Sequence, residues 1–353
     1  MMANYSSKME FIDPELIKEA VLAPYVNDCI VDQYDKFPKE WCSVNDLRKR
    51  AKELSSYMYQ EAEMLVREIQ RRTELDPAIK NLSQNDGKAE DFRALVGGNK
   101  LPYDYNRTGK AIAHVFLNAS DVLMQGRQNY ILAALPRNIL QTRDYFEAAT
   151  RQGVSLFVSA HETGEEPTRA TNFWKNEVLS QIVLSDDSTI TNVSDIDAKG
   201  EKTEKQKQRI AHIVKNSLIH AQGTAEKTLT HLHIDGWRDN SPMHDEALLQ
   251  TLLDEMEQLS PSREIPIAIN CVSGVGRTGT IAVSYYLRRE IEAQLRDGIL
   301  LDDIRVNIPE VIYKFRMQRQ YTAGRTLQLV QLYSALASYV EMLKKKQNQM
   351  LKI

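Results

Sequence analysis

Reading the chain as alternating apolar and polar positions picks out a series of elements. Ile265 to Ile269 is an uninterrupted apolar run that predicts a short buried strand, and Val154 to Val158 is a second. Leu232 to Asp235 alternates as a half-buried strand does, and then enters the polar turn Asp239-Asn240-Ser241-Pro242. From Ile281 to Arg296 the period becomes helical and stops near Gly298. Val44 to Arg72 is rich in Glu, Lys, Arg, Leu and Met, lacks Gly and Pro, and is closed by Asp76-Pro77, which predicts helix. Between about 185 and 225 the chain turns polar, with Lys202, Lys205 and Lys207 set among Gln and Glu. Ile210, Ile213, Val214 and Leu218 there form an apolar stripe at helical spacing, which predicts a helix lying on the domain surface.

The segment joining the 265–269 strand to the 281–296 helix carries the chemistry. It reads Asn270-Cys271-Val272-Ser273-Gly274-Val275-Gly276-Arg277-Thr278. Amide groups at a helix N-terminus point at an anion, and Gly274 and Gly276 let the backbone curl closely around it. The same positive end, with Arg277 beside it, lowers a thiol pKa and favours Cys271 as a thiolate. The fork of Arg277 suits two phosphate oxygens at once. The alternative is a buried cysteine before a helix that happens to open on Arg-Thr, and it leaves the agreement of residue types, spacing and context unexplained. Upstream, Asp239 sits in a turn where a carboxylic acid can protonate a departing oxygen; taken alone, that turn is an ordinary use of its residues.

The loop resembles the signature of the protein tyrosine phosphatases, namely His-Cys, five residues, Arg, then Ser or Thr. Asn270 stands where the family has its histidine. Trp237-Arg238-Asp239 resembles the family's Trp-Pro-Asp acid loop, with Arg238 replacing the proline. Tyr130 to Pro136, Thr142 to Phe146 and Val154 to Val158 are similar to the family's core strand, helix and second strand. Phe173-Trp174 looks like its aromatic pair, and Arg169 like a lysine beside the acid loop. Phe315 to Arg319 resembles the start of the family's late glutamine loop. Counting onward puts Gly324 at the first water-positioning glutamine and Gln328 at the second. Around Asn99 to Arg107, Pro102-Tyr103-Asp104 and Arg107 match, but the preceding substrate loop is shortened and its tyrosine is absent.

The resemblance implies an α/β domain with a central twisted mixed sheet flanked by helices. It further implies a cysteine-dependent phosphatase acting on phosphotyrosine in proteins through a phosphocysteine. Cys271 attacks, Arg277 and the amides of Val272, Ser273, Gly274, Val275 and Gly276 hold the phosphate, Asp239 is the acid, Thr278 assists the departing sulfur and Gln328 positions water. Two rival readings stand beside it. A phosphoinositide or inositol-phosphate phosphatase shares the loop, but commonly carries lysines where Val272, Ser273 and Val275 are uncharged. A pseudophosphatase that only binds phosphoprotein would suit the departures at Asn270, Arg238 and Gly324.

Length and composition modify this picture only at its margins. The 353 residues, 42% of them hydrophobic, allow a large core. The expected organisation is an N-terminal helical extension over 1–98, a catalytic domain over 99–340 with its polar insert, and a basic tail over 341–353. The resemblance implies that the extension consists of helices packed on the domain, with a partner-binding module as the alternative, and the insert is likewise a candidate partner-binding surface. A net charge of −3 gives no global basic field for nucleic acid. No apolar run approaches a membrane span, and the first residues lack a basic-then-apolar leader. Cys29, Cys42 and Cys271 make no disulfide framework, and a thiolate needs reducing surroundings, so a cytoplasmic workplace is expected. A bacterial effector delivered to a host cytosol also fits. The histidines do not join cysteines at zinc spacing, so no metal and no cofactor are expected.

Overall fold

The structure, a computed structural model, describes residues 41–56, 59–75, 108, 117–124, 128–162, 165, 181–192, 211–243, 245–260 and 263–350. The expectations for Asn99 to Arg107, Arg169, Phe173-Trp174, Cys29, Ile210 and the lysines at 202, 205 and 207 lie outside the described residues.

An eight-stranded mixed sheet organises the fold. Its strands are β2 (Ala119–Val122), β3 (Tyr130–Ala134), β4 (Leu156–Ala160), β5 (Gln181–Val183), β6 (Thr189–Asn192), β7 (His212–Gln222), β8 (Ala225–Asp235) and β9 (Ile267–Cys271). Their order across the sheet is β2-β3-β9-β4-β8-β7-β6-β5. The four in the middle, β3, β9, β4 and β8, run parallel, and the flanking pairs are antiparallel. Strands buried on both faces read as continuous apolar runs; β3, β4 and β9 are buried along their whole length. The predicted 265–269 strand is thus shifted by two residues, because Ile265 is partly exposed and the ladder continues to Cys271.

Beyond the sheet lie β1 (Cys42–Ser43) and β10 (Arg305–Val306), which pair with one another. The helices are α1 (Leu47–Ser55), α2 (Tyr59–Leu75), α3 (Ile139–Arg151), α4 (Glu246–Leu259), α5 (Gly276–Arg296), α6 (Ile308–Arg316) and α7 (Thr326–Met350). Asn138, Asp245 and Asn307 cap α3, α4 and α6 with side-chain oxygens on the amides of Gln141, Leu248 and Glu310. Helix α5 ends at Gly298, whose φ of +84° is the left-handed turn a glycine provides.

The 44–72 region forms two helices. α1 buries Leu47, Ala51 and Leu54, and α2 buries Ala62, Leu65, Val66 and Ile69, each at helical spacing. Both pack on α7. Arg48 pairs with Glu246 and Glu341 and donates to Ser338 at 2.7 Å, which ties α1 to α4 and α7. Residues 341–350 continue α7 as helix.

One expectation is overturned. Ile213, Val214 and Leu218 lie on strand β7, not on a surface helix. Asn216 and Leu218 are buried while Lys215 and Ser217 are exposed, the alternation of a strand. The ladder from His212↔Asp235 to Gln222↔Ala225 supplies eleven cross-strand partners, and that pairing overrides a weak 3.6-residue coincidence among β-branched residues.

Candidate active site

β9 delivers Cys271 to the C-terminal end of the parallel strands, where ligands gather in open α/β sheets. Ala134 and Ala160 flank it on the neighbouring strands, and its carbonyl accepts from Leu135 N at 2.8 Å. The chain then loops through Val272 and Ser273, which are partly exposed, and enters α5 at Gly276. Gly274 has φ +69°, and a Cβ there would lie 2.3 Å from backbone atoms of Ala133 and Ala134, so only glycine lets the loop close on β3. This turn aims Gly274 N at Cys271 Sγ, 3.2 Å away.

The sulfur is 1% exposed. Burial pushes its pKa up. The charge of Arg277, the hydroxyl and amide of Thr278 and the amide of Gly274 more than offset that, leaving the thiol below its ordinary value. Thr278 Oγ1 is buried and has no oxygen or nitrogen partner among the described residues; its interaction is with the sulfur.

Arg277, also 1% exposed, sits in the first turn of α5. Its Nη1 donates to Glu165 Oε2 at 2.6 Å and to the Trp237 carbonyl at 2.7 Å. Its Nε and Nη2 are buried and make no hydrogen bond among the described residues. These two groups lie on one edge of the guanidinium, the edge that grips two oxygens of a phosphate. Asp239 Oδ1 is 3.4 Å from Nη2 and its side chain is 55% exposed.

The turn bearing Asp239 follows β8. Trp237 is buried and donates from Nε1 to Ser241 O at 3.0 Å, Ser241 Oγ donates to Arg238 O at 2.8 Å, and Asn240 takes φ +55°. Asn240 Nδ2 donates to Asp239 Oδ2 at 2.8 Å, and Asn240 Oδ1 accepts from Arg325 Nε at 3.1 Å. Gln328 is buried near the start of α7. Its Nε2 lies 2.7 Å from where a Cβ on Gly276 would stand, so that glycine gives the amide its room against the loop.

A cleft of about 420 Å³ opens beside the loop, lined by Asp239, Ser273, Gly276, Tyr321 and Gln328, with Arg67 and Arg71 of α2 on its wall. Tyr321 and Ala323 have φ values of +62° and +48°, and Ala323 N donates to Val275 O at 3.1 Å. Gly324, the position expected for a water-positioning glutamine, lines the same cleft without a side chain to offer. No group of His, Cys, Asp and Glu suited to a metal occurs among the described residues, and no described helix is long and apolar enough to cross a membrane.

The site therefore brings together Cys271, Arg277, Thr278, Asp239 and Gln328 with the loop from Val272 to Gly276. Three residues were given no role in it from the sequence, although two of them lie in the 315–319 segment that resembles the family's. Glu165, from the segment after β4, anchors Arg277. Arg319 Nε donates to Gly274 O at 3.0 Å. Arg316 donates to Thr322 O and Ala323 O, and to Val66 O of α2. The contacts of Glu165 and Arg319, and that of Arg316 with Val66, cross long sequence separations, and no spacing rule reports such contacts.

Comparisons with known proteins bear on the family and the fold. A family model described as protein-tyrosine phosphatase matches residues 97–338. Human tyrosine-protein phosphatase non-receptor type 23 is 30% identical over 128 residues, 35% of this chain and 7% of that protein. Drosophila melanogaster tyrosine-protein phosphatase 69D is 22% identical over 295 residues, 76% of this chain and 19% of the relative. The match thus spans less than a fifth of either relative's length. The crystal structure of the Trypanosoma brucei protein tyrosine phosphatase TbPTP1 superposes with a TM-score of 0.59 at 18% identity, covering 80% of this chain and 92% of that one. At that identity the likeness concerns the fold.

Proposed function

The chain belongs to the protein-tyrosine phosphatase family, and from that premise we propose that it hydrolyses phosphotyrosine in proteins through a phosphocysteine on Cys271. The observation that carries the reading is the edge of Arg277 turned away from its anchors. Nη1 is committed to Glu165 and Trp237, and Nε and Nη2 are buried beside a thiol whose pKa is lowered, with no hydrogen bond among the described residues and the exposed Asp239 carboxylate 3.4 Å from Nη2. Buried donors without hydrogen bonds are costly, and a phosphate dianion supplies them.

In the proposed first step the Cys271 thiolate attacks phosphorus. The S–P bond forms as the bond to the tyrosyl oxygen breaks, and Asp239 gives that oxygen its proton. Arg277 and the amides from Val272 to Arg277 hold the equatorial oxygens, in place before charge shifts onto them. In the second step water attacks phosphorus, Asp239 takes its proton, and the S–P bond breaks to return the thiolate. Thr278 stabilises the leaving sulfur and Gln328 orients the water. The uncharged side chains of Val272, Ser273 and Val275 favour a substrate bearing one phosphate over a polyphosphorylated inositol. Purified protein assayed against phosphotyrosine peptides, phosphoserine peptides and phosphoinositides tests this. Preference for phosphotyrosine by tenfold or more in kcat/KM is expected; preference for a phosphoinositide, or no turnover with intact peptide binding, would replace it with one of the rival readings.

A further inference from the structure

Arg319 is 1% exposed and braces the loop through Gly274. Its Nε donates to Gly274 O at 3.0 Å, its Nη1 to Ser120 Oγ at 3.2 Å and its Nη2 to Asn118 O at 3.3 Å. All three acceptors are neutral, and among the described residues no carboxylate pairs with it. A buried arginine without a counter-charge is costly enough that such groups are normally found paired. Here burial drives its pKa down to about 10, and the one charge that opposes this is that of Cys271. The geometry links the two groups directly. Arg319 holds the carbonyl of Gly274, and the amide of the same glycine donates to Cys271 Sγ at 3.2 Å.

Resting on the assignment of Cys271 as the thiolate nucleophile, we propose that Arg319 is a positioning residue and a second cation of the site. It adds a positive charge to that of Arg277 near the thiolate, and it fixes Gly274 so that its amide faces the sulfur. The two arginines divide the work. Arg277 keeps an edge without hydrogen bonds for phosphate, whereas every nitrogen of Arg319 is committed to the scaffold, so Arg319 contributes charge to the sulfur and none of its donors to the substrate.

The test reads the thiol itself. The pH midpoint for alkylation of Cys271 by iodoacetate, followed by peptide mass mapping, is compared in wild type, Arg319→Gln and Arg319→Lys. Glutamine keeps a donor for Gly274 O and removes the charge, so its midpoint should rise by on the order of one pH unit. Lysine retains the charge and should shift it clearly less. kcat should fall several-fold in Arg319→Gln with KM for a phosphotyrosine peptide within about twofold, since no donor to the substrate is lost. An unchanged midpoint in Arg319→Gln, or equal rises in both variants, would overturn the proposal and leave Arg319 a structural brace. Should the glutamine variant not fold, Arg319→Met fills the volume of the stem and carries the same readout. Loss of this effect is separable from failure of the nucleophile assignment, which the turnover of Cys271→Ser decides.

Discussion

Glu165 offers the sharpest quantitative consequence of the site geometry. Its Oε2 accepts from Arg277 Nη1 at 2.6 Å and from Glu162 N at 3.1 Å. The arginine is 1% exposed and the carboxylate 23%, so solvent screens the pair weakly. A charge-assisted hydrogen bond of this kind contributes about 1.5–3 kcal/mol, and a neutral one about half. Glu165→Ala removes the bond and frees the guanidinium to rotate; if the whole term is expressed in the transition state, kcat/KM falls roughly 10- to 150-fold. Glu165→Gln keeps a neutral acceptor and should cost roughly 4- to 13-fold by the same conversion. The assay is steady-state hydrolysis of a phosphotyrosine peptide at fixed ionic strength, with a thermal melt of each variant to exclude unfolding. Competitive inhibition by inorganic phosphate should weaken in the same order, because the lost contact orients the edge that holds the oxygens. If both variants retain kcat/KM within twofold of wild type and fold normally, the anchoring role is refuted.

Further expectations follow from the same contacts. Asp239→Asn should lower turnover by ~10²–10⁴ on a phosphotyrosine peptide and far less on nitrophenyl phosphate, whose leaving group needs no acid; equal losses on both remove Asp239 from the acid role. Gly274→Ala forces a Cβ to within 2.3 Å of the Ala133 backbone at a positive φ, so a lower melting temperature and loss of activity are expected, and an unperturbed melt with full activity would contradict the tight closure on β3. The thiolate appears as pH rises through the thiol pKa. Cys271 lies below its ordinary value, whereas burial and Asp46 push Cys42 up to about 11, so iodoacetate near pH 7 should label Cys271 well before Cys42. Asn270 is 2% exposed between Ala133 and Ser159, beside the buried phenol of Tyr145; a histidine there overpacks the face, and Asn270→His should lose activity. A gain in turnover with a lower alkylation midpoint would overturn that expectation.

What could be read from the sequence was whatever lies close together along it. The strand into Cys271, the glycine loop, Arg277 and the helix opening behind it are consecutive, and each residue type answers to a local rule of strand, turn or helix start. The turn at Asp239 was readable only through its place upstream of the cysteine loop and its likeness to the family's acid loop. Glu165 was not, and Arg316 and Arg319 were read only as members of a family-like segment, since what Glu165 and Arg319 do depends on which distant groups the fold sets beside them. Arg319 reaches Gly274 across 45 positions, and neither charge pattern nor periodicity reports such a contact. The misreading of 210–218 has a related cause. Four apolar residues fit a helical stripe as well as a strand, and the ladder to β8 that decides between them is tertiary.

The measurement that bears most directly on the central claim is turnover of Cys271→Ser on a phosphotyrosine peptide, made beside peptide binding by the same protein. A serine hydroxyl is not ionised at neutral pH and cannot replace the thiolate, while Arg277 and the loop amides remain to hold phosphate. The account predicts a fall in kcat of about 10³-fold or more, with the dissociation constant of the peptide within about tenfold of its wild-type value. Turnover near the wild-type rate in Cys271→Ser would contradict it.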